Sequence, residues 1–152
     1  MHHFLRALVG VVLLGGVDAN AQARLDPAAQ AKIDEVVSAY GAAWNEPDLA
    51  ARQRLLEKAW SATGTYTDPT VHLEGRDALA QHIAGFQKGL PGATIVPTSH
   101  ADVHHGRLRF TWRLVKADGS TLTEGIDFGE LDAEGRIQKI IGFFGPVKPL
   151  DR

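Results

Sequence analysis

Between residues 107 and 115 the chain alternates strictly. Leu108, Phe110, Trp112 and Leu114 point one way, and Arg107, Arg109, Thr111 and Arg113 point the other. A period of two with one apolar face predicts a half-buried strand. Asp118-Gly119 follows as a hairpin turn, so residues 121–131 return as the antiparallel neighbour. Pairing Glu124 and Glu130 with the arginines puts both glutamates on the outer face, together with Leu122, Ile126 and Phe128. Thr123, Gly125, Asp127, Gly129 and Leu131 then face inward, with Asp127 beside Phe110 and Trp112. A slip of one residue would reverse every assignment. Residues 94–104 are predicted as the strand before this pair, bent at Pro97. Asp132-Ala133-Glu134-Gly135 turns the chain into a last strand over 136–144.

Such a sheet needs a second layer over its apolar face, and the residues before it supply one. Asp26-Pro27 is a helix start. Ile33, Val36, Val37, Tyr40 and Trp44 follow at helical spacing, and Asn45-Glu46-Pro47 stops the run. Asp48 caps a second helix with Leu49, Leu55, Leu56, Ala59 and Trp60 on its inner face, broken by Ala62-Thr63-Gly64. Residues 65–68 read as a strand, and 71–73 as its short partner. Gly75-Arg76-Asp77 opens a third helix, with Leu79, Ile83, Phe86 and Leu90 on the buried stripe. The predicted fold is α+β: three N-terminal helices packed on a curved, mostly antiparallel sheet, enclosing a conical apolar pocket.

Residues 1–23 are predicted to be a secretory signal. One basic residue precedes the apolar or glycine run 7–17, and Ala19, Ala21 and Ala23 are spaced for cleavage after Ala21 or Ala23. That run is shorter than the roughly 20 residues a bilayer span needs. The expected product is one domain, 24–152, exported to the periplasm or secreted and not held in a membrane. It has no cysteine and must rely on packing. The net charge of −2, with both signs mixed along the chain and no basic block, gives no footprint for nucleic acid.

Three polar residues project toward the apolar interior: Tyr40 on the first helix, Asp68 at the end of the first strand, and Asp127 in mid-strand. A carboxylate on an apolar face is neutral, partnered or functional. Two carboxyls and a phenol around a dry cavity suit proton transfer. Each also has a purely structural reading: Tyr40 as a bonded core tyrosine, Asp68 as the residue shaping the turn at Pro69. Trp44, Phe86, Phe110, Trp112 and Phe144 are expected to line the cavity and contact substrate, with His72 at its mouth. None of the seven histidines has metal-ligand spacing, so neither metal nor cofactor is expected.

The segments Val36-Val37-x-x-Tyr40-x-Ala42-Ala43-x-Asn45-x-x-Asp48-Leu49, Thr67-Asp68-Pro69, Gly75-Arg76-Asp77-Ala78-Leu79, Gly125-Ile126-Asp127-Phe128, Gly135-Arg136-Ile137 and Phe143-Phe144-Gly145 occur in that order. Together they resemble the SnoaL-like family of the nuclear transport factor 2-like superfamily. The resemblance extends to the ketosteroid isomerases of that superfamily. It implies Asp68 as general base, with Tyr40 and protonated Asp127 as oxyanion donors. The SnoaL-type polyketide cyclases are resembled equally, and they imply a His/Asp pair that would draw on His72 or His100. The superfamily also implies a homodimer through the outer sheet face. Two functions therefore stand side by side: a cofactor-independent acid–base enzyme, and a non-catalytic periplasmic binding protein for a small hydrophobic molecule. A third reading, an interaction module with a filled core, predicts no cavity.

Overall fold

The computed structural model describes residues 25–151. The segment read as a secretory signal lies outside the described residues. Helix α1 (Pro27–Asn45) starts where Asp26 accepts hydrogen bonds from the Ala28 and Ala29 amides, with Pro27 in the first turn. Its last residue, Asn45, both donates to the Ile95 carbonyl and accepts from the Ile95 amide, each at 2.8 Å, which fastens the helix end to a strand edge. Helix α2 (Leu49–Ala59) is capped by Asp48 through the Ala51 amide.

The inner face of α2 differs from expectation. Leu49 is exposed, and Arg52 is buried at 1% exposure with Leu56 and Ala59. The Arg52 guanidinium donates to the carbonyls of Glu46, Pro47 and Ala80 and to Gln87 Oε1. It thereby meets the carbonyl-rich C-terminal end of α1, where a cation is favoured.

Trp60 belongs to strand β1 (Trp60–Asp68), not to α2. The expected break at Ala62-Thr63-Gly64 is instead an irregular part of this strand, whose register against its neighbour shifts between Trp60 and Thr65. The cause is packing: the Trp60 indole lies on Gly64, where a Cβ would come within 2.5 Å of Nε1. β1 hairpins to β2 (Val71–Glu74), and Gly75, at φ 88°, turns the chain into α3 (Arg76–Gly89).

The predicted strand 94–104 is two strands, β3 (Thr94–Pro97) and β4 (Asp102–His104). Both pair with β5 (Arg107–Val115), but their registers differ by two residues. Pro97 closes β3 because it has no amide to continue the ladder. Ala101 is then buried between the two short strands. β5 pairs with β6 (Thr121–Leu131), setting Arg113 against Glu124, Arg107 against Glu130 and Phe110 against Asp127, as the alternation requires. Leu122 is the exception. The register shifts between Leu114 and Val115, and this bulge brings Leu122 from the expected outer face to the lip of the cavity. Strand β7 (Ile137–Phe144) starts one residue late, since Arg136 is held in the turn by Asp132.

The sheet runs β2-β1-β7-β6-β5-β3, with β4 also on β5. All pairs are antiparallel except β1 with β7, which is parallel. The three helices cover one face of this curved sheet, and Tyr40, Trp60, Leu56, Leu79, Ile83, Ile137 and Ile140 form the packed core between the layers. Beyond that core, toward Phe110 and Trp112, the layers part.

Candidate active site

A cavity of about 400 Å³ opens between the layers. Its walls are apolar: Val37 and Trp44 from α1, Phe86 from α3, and Phe110, Trp112 and Leu114 from β5. Leu122, Phe144 and Thr70 are also among its lining residues. The volume falls within the ~300–1,000 Å³ typical of small-molecule sites. A filled core is not what the chain builds.

The polar groups converge on the sheet. Asp127 on β6 is paired with Gly142 on β7, and Thr67 with Ile141 brings the end of β1 alongside. A Cβ on Gly142 would lie 3.1 Å from Asp127 Oδ1 and 3.7 Å from Asp68 Cβ. The two carboxyls therefore flank a gap left by a missing side chain. A second glycine makes the next contact possible. Trp112 is paired with Gly125, and its indole occupies the space of the absent side chain. From there Nε1 donates to Asp127 Oδ1 at 2.9 Å.

The two carboxyls are driven apart in acidity. Asp127 is 3% exposed. Burial pushes its pKa up to about 6; the Trp112 N–H and the Tyr40 hydroxyl oppose that rise, and the charge of Asp68 adds to it. Partial burial also raises Asp68, but its hydrogen bonds more than offset this and hold it below the usual carboxylate range. Asp68 Oδ1 accepts from the Thr70 amide, Thr70 Oγ1 and the Val71 amide, and Oδ2 accepts from the Tyr66 hydroxyl at 2.9 Å. The turn contacts thus fall on one oxygen of Asp68 and the Tyr66 hydroxyl on the other. Tyr40 lies among rings, stacked on Trp60 at 5.5 Å and edge-on to Trp44 and Phe110. Burial and the nearby Asp127 charge raise its pKa well above the ordinary tyrosine value, so it stays a donor.

Tyr40, Asp68, Asp127, Trp44, Phe86, Phe110, Trp112 and Phe144 all border the cavity. His72 does not, which corrects its expected place at the mouth. It is exposed on β2, bonded to Thr67 Oγ1 at 2.7 Å and 3.7 Å from Glu74. His100 is also remote, exposed beside Asp34. Two residues not singled out from the sequence are present: Tyr66, whose hydroxyl holds Asp68, and His82 on α3. Both were within reach of pattern reading. Tyr66 shares a strand face with Asp68 two residues on, and His82 precedes Phe86 by one helical turn. Among the described residues no group of three or more His, Cys, Asp or Glu side chains is placed to hold a metal ion.

No family model matches the chain, and no curated protein does. Solved structures do. A SnoaL-like family protein from Agrobacterium tumefaciens, described as a candidate isomerase, is 34% identical with a TM-score of 0.71, over 76% of this chain and 99% of that one. A SnoaL-like protein of unknown function from Burkholderia thailandensis is 14% identical with a TM-score of 0.60, over 77% and 98%. A candidate SnoaL-like polyketide cyclase from Jannaschia sp. CCS1 is 14% identical with a TM-score of 0.55, over 72% and 85%. The last two share the fold alone.

Proposed function

The chain belongs to the SnoaL-like family of the nuclear transport factor 2-like superfamily, and on that premise we propose that it is a cofactor-independent acid–base enzyme that moves a proton α to a carbonyl. The observation that carries this reading is the pair of carboxyls, Asp68 and Asp127, shifted in opposite directions on either side of Gly142. Ionised Asp68 removes a proton from the α carbon of a small hydrophobic ketone. The Tyr40 hydroxyl and protonated Asp127 hydrogen-bond the enolate oxygen. Asp68 then returns the proton at a different carbon, so the double bond migrates and nothing else is consumed. Asp127 can keep its second oxygen for the proton, because Trp112 occupies Oδ1.

A panel of β,γ-unsaturated ketones, steroidal and simpler, followed by ultraviolet absorbance, tests this directly. Native protein should conjugate at least one of them, and Asp68→Asn should lose about 10²–10⁴ in rate. Activity should fall as pH rises through about 6, where Asp127 loses its proton. Equal activity in the Asp68→Asn variant, or no conjugation of any ketone, sinks the proposal. The second outcome favours a periplasmic binding protein, which needs only the apolar cavity. A cyclase-like reaction drawing on His72 or His100 lacks geometric support, since neither borders the cavity.

Two further elements belong to the same reading. The N-terminal segment delivers the protein outside the cytoplasm, and the outer sheet face pairs with a second copy. Supporting the latter, Phe128 and Phe143 meet edge-on on that face and are exposed with Ile141. The ion pairs of Arg107 and Lys139 with Glu130 stand beside them.

A further inference from the structure

A general base needs a free lone pair aimed at the proton it removes. Asp68 has few to spare. Its Oδ1 accepts three hydrogen bonds, from the Thr70 amide and Thr70 Oγ1 at 2.7 Å each and from the Val71 amide at 3.0 Å. A carboxylate oxygen offers two lone pairs, so Oδ1 is saturated. Oδ2 accepts one bond, from the Tyr66 hydroxyl at 2.9 Å, and keeps one lone pair.

Tyr66 is held for that bond. It is 5% exposed. Its backbone sits inside the sheet, paired with Leu73 of β2 on one side and Ile140 of β7 on the other. Its ring is tilted against Trp44 at 5.5 Å and against His82 at 5.9 Å. Packing thus fixes both side-chain torsions, and alternation puts the phenol on the strand face of Asp68. Both residues border the cavity. Burial raises the Tyr66 pKa above the ordinary tyrosine value, so the phenol remains a donor.

This bond acts on proton transfer in two ways. The incoming proton has one seat, the free lone pair of Oδ2. A donor on a carboxylate also favours its charged form. Once the substrate C–H bond has broken and the O–H bond has formed on Oδ2, the same donor makes the neutral acid readier to release its proton to the second carbon. Tyr66 gives up no proton in either step. We propose that Tyr66 is a positioning residue for the general base: its hydroxyl confines proton transfer to a single lone pair of Asp68 Oδ2 and speeds the proton's return to the substrate. This rests on the acid–base reading of the site.

The test compares native protein with Tyr66→Phe, which keeps the ring against Trp44 and His82 and removes only the donor. Carbon-13-labelled aspartate, assigned with Asp68→Asn, follows the Asp68 carboxyl titration in the unliganded protein. Its midpoint should move to higher pH in Tyr66→Phe and to lower pH in Tyr66→fluorotyrosine, a stronger donor of nearly the same shape. With a ketone that native protein conjugates, Tyr66→Phe should lose about tenfold in kcat while KM stays unchanged. With that ketone deuterated at the α carbon, the variant should carry less deuterium into the product, because a slower return lets solvent exchange the deuteron held on Oδ2. A residue that only packs would change the unfolding curve and move none of these. An Asp68 midpoint indifferent to the donor at position 66, or unchanged kcat and deuterium transfer in Tyr66→Phe, overturns the proposal. If native protein conjugates no ketone while the midpoint still moves, the isomerase reading falls and the hold of Tyr66 on Asp68 stands; conjugation with a fixed midpoint does the reverse.

Discussion

Burial of the Asp127 carboxyl favours its protonated form, so between pH 3.8 and about 6 the folded chain holds a proton that the unfolded chain has released. Folding therefore takes up a proton in that window, and stability falls as pH rises through it. Above about pH 6 the cost is complete. Asp127→Asn removes this dependence while leaving an oxygen for the Trp112 N–H. Relative to native protein, the variant should be more stable at pH 8 than at pH 4 by about 2 kcal/mol. Denaturant titrations of both proteins at the two pH values read the difference, and parallel pH profiles would refute it. The same substitution should cost activity at pH 5, because the neutral acid that bonds the enolate is gone. Stability and activity then move in opposite directions at one residue, as expected where a strained group serves function.

At the scale of strands and helices, two positions carry separable consequences. Gly142 lies inside β7 with strands on both sides, so its backbone has little freedom to yield. Gly142→Ala would set a methyl 3.1 Å from Asp127 Oδ1, and the carboxyl must give way. The variant should fold and yet lose about tenfold to a hundredfold in kcat, read by turnover beside a denaturation curve. Arg52 is the opposite case, distant from the chemistry and central to the helices. Arg52→Met strands the carbonyls of Glu46, Pro47 and Ala80, and should lower unfolding free energy by about 3 kcal/mol or more, measured by urea unfolding. These two residues also mark the limit of what alternation reveals. It reports which side of an element is buried, and it placed Phe110, Trp112 and Asp127 on the inner face of β5 and β6 with their cross-strand partners. It says nothing of what waits on the other side. Arg52 reads as a surface residue because its acceptors are backbone carbonyls of the α1–α2 connection and of α3. Leu122 reads as outward because a bulge interrupts the period. Trp60 reads as helical because only its packing on Gly64 makes the strand begin there. Tyr40, Asp68 and Asp127 were legible as a set because each is polar at an apolar position. Tyr66 reads as packing because it is an aromatic ring on a buried strand face, and His82, near the apolar stripe of α3, reads as a histidine without metal-ligand spacing and not as a cavity residue.

For the whole molecule, the helical layer and the antiparallel meander follow from local periodicity, but the parallel pairing of β1 with β7 does not. It joins residues more than seventy positions apart, and no turn announces it. That pairing has a temporal consequence. The strand in the middle of the sheet is the last one made, and until Ile137 onward has been synthesised the sheet exists as two separate parts, the β1–β2 hairpin and the β3–β6 meander, linked through the packing of α1 on β3 and β5. Loop closure over that distance is slow, and it cannot begin early. A chain ending at Arg136 should show no cooperative unfolding transition, however much helix its circular dichroism retains. A full-length chain emerging from a ribosome is for the same reason committed late. Under the proposed export, delay built into strand order would keep the polypeptide threadable until β7 is present.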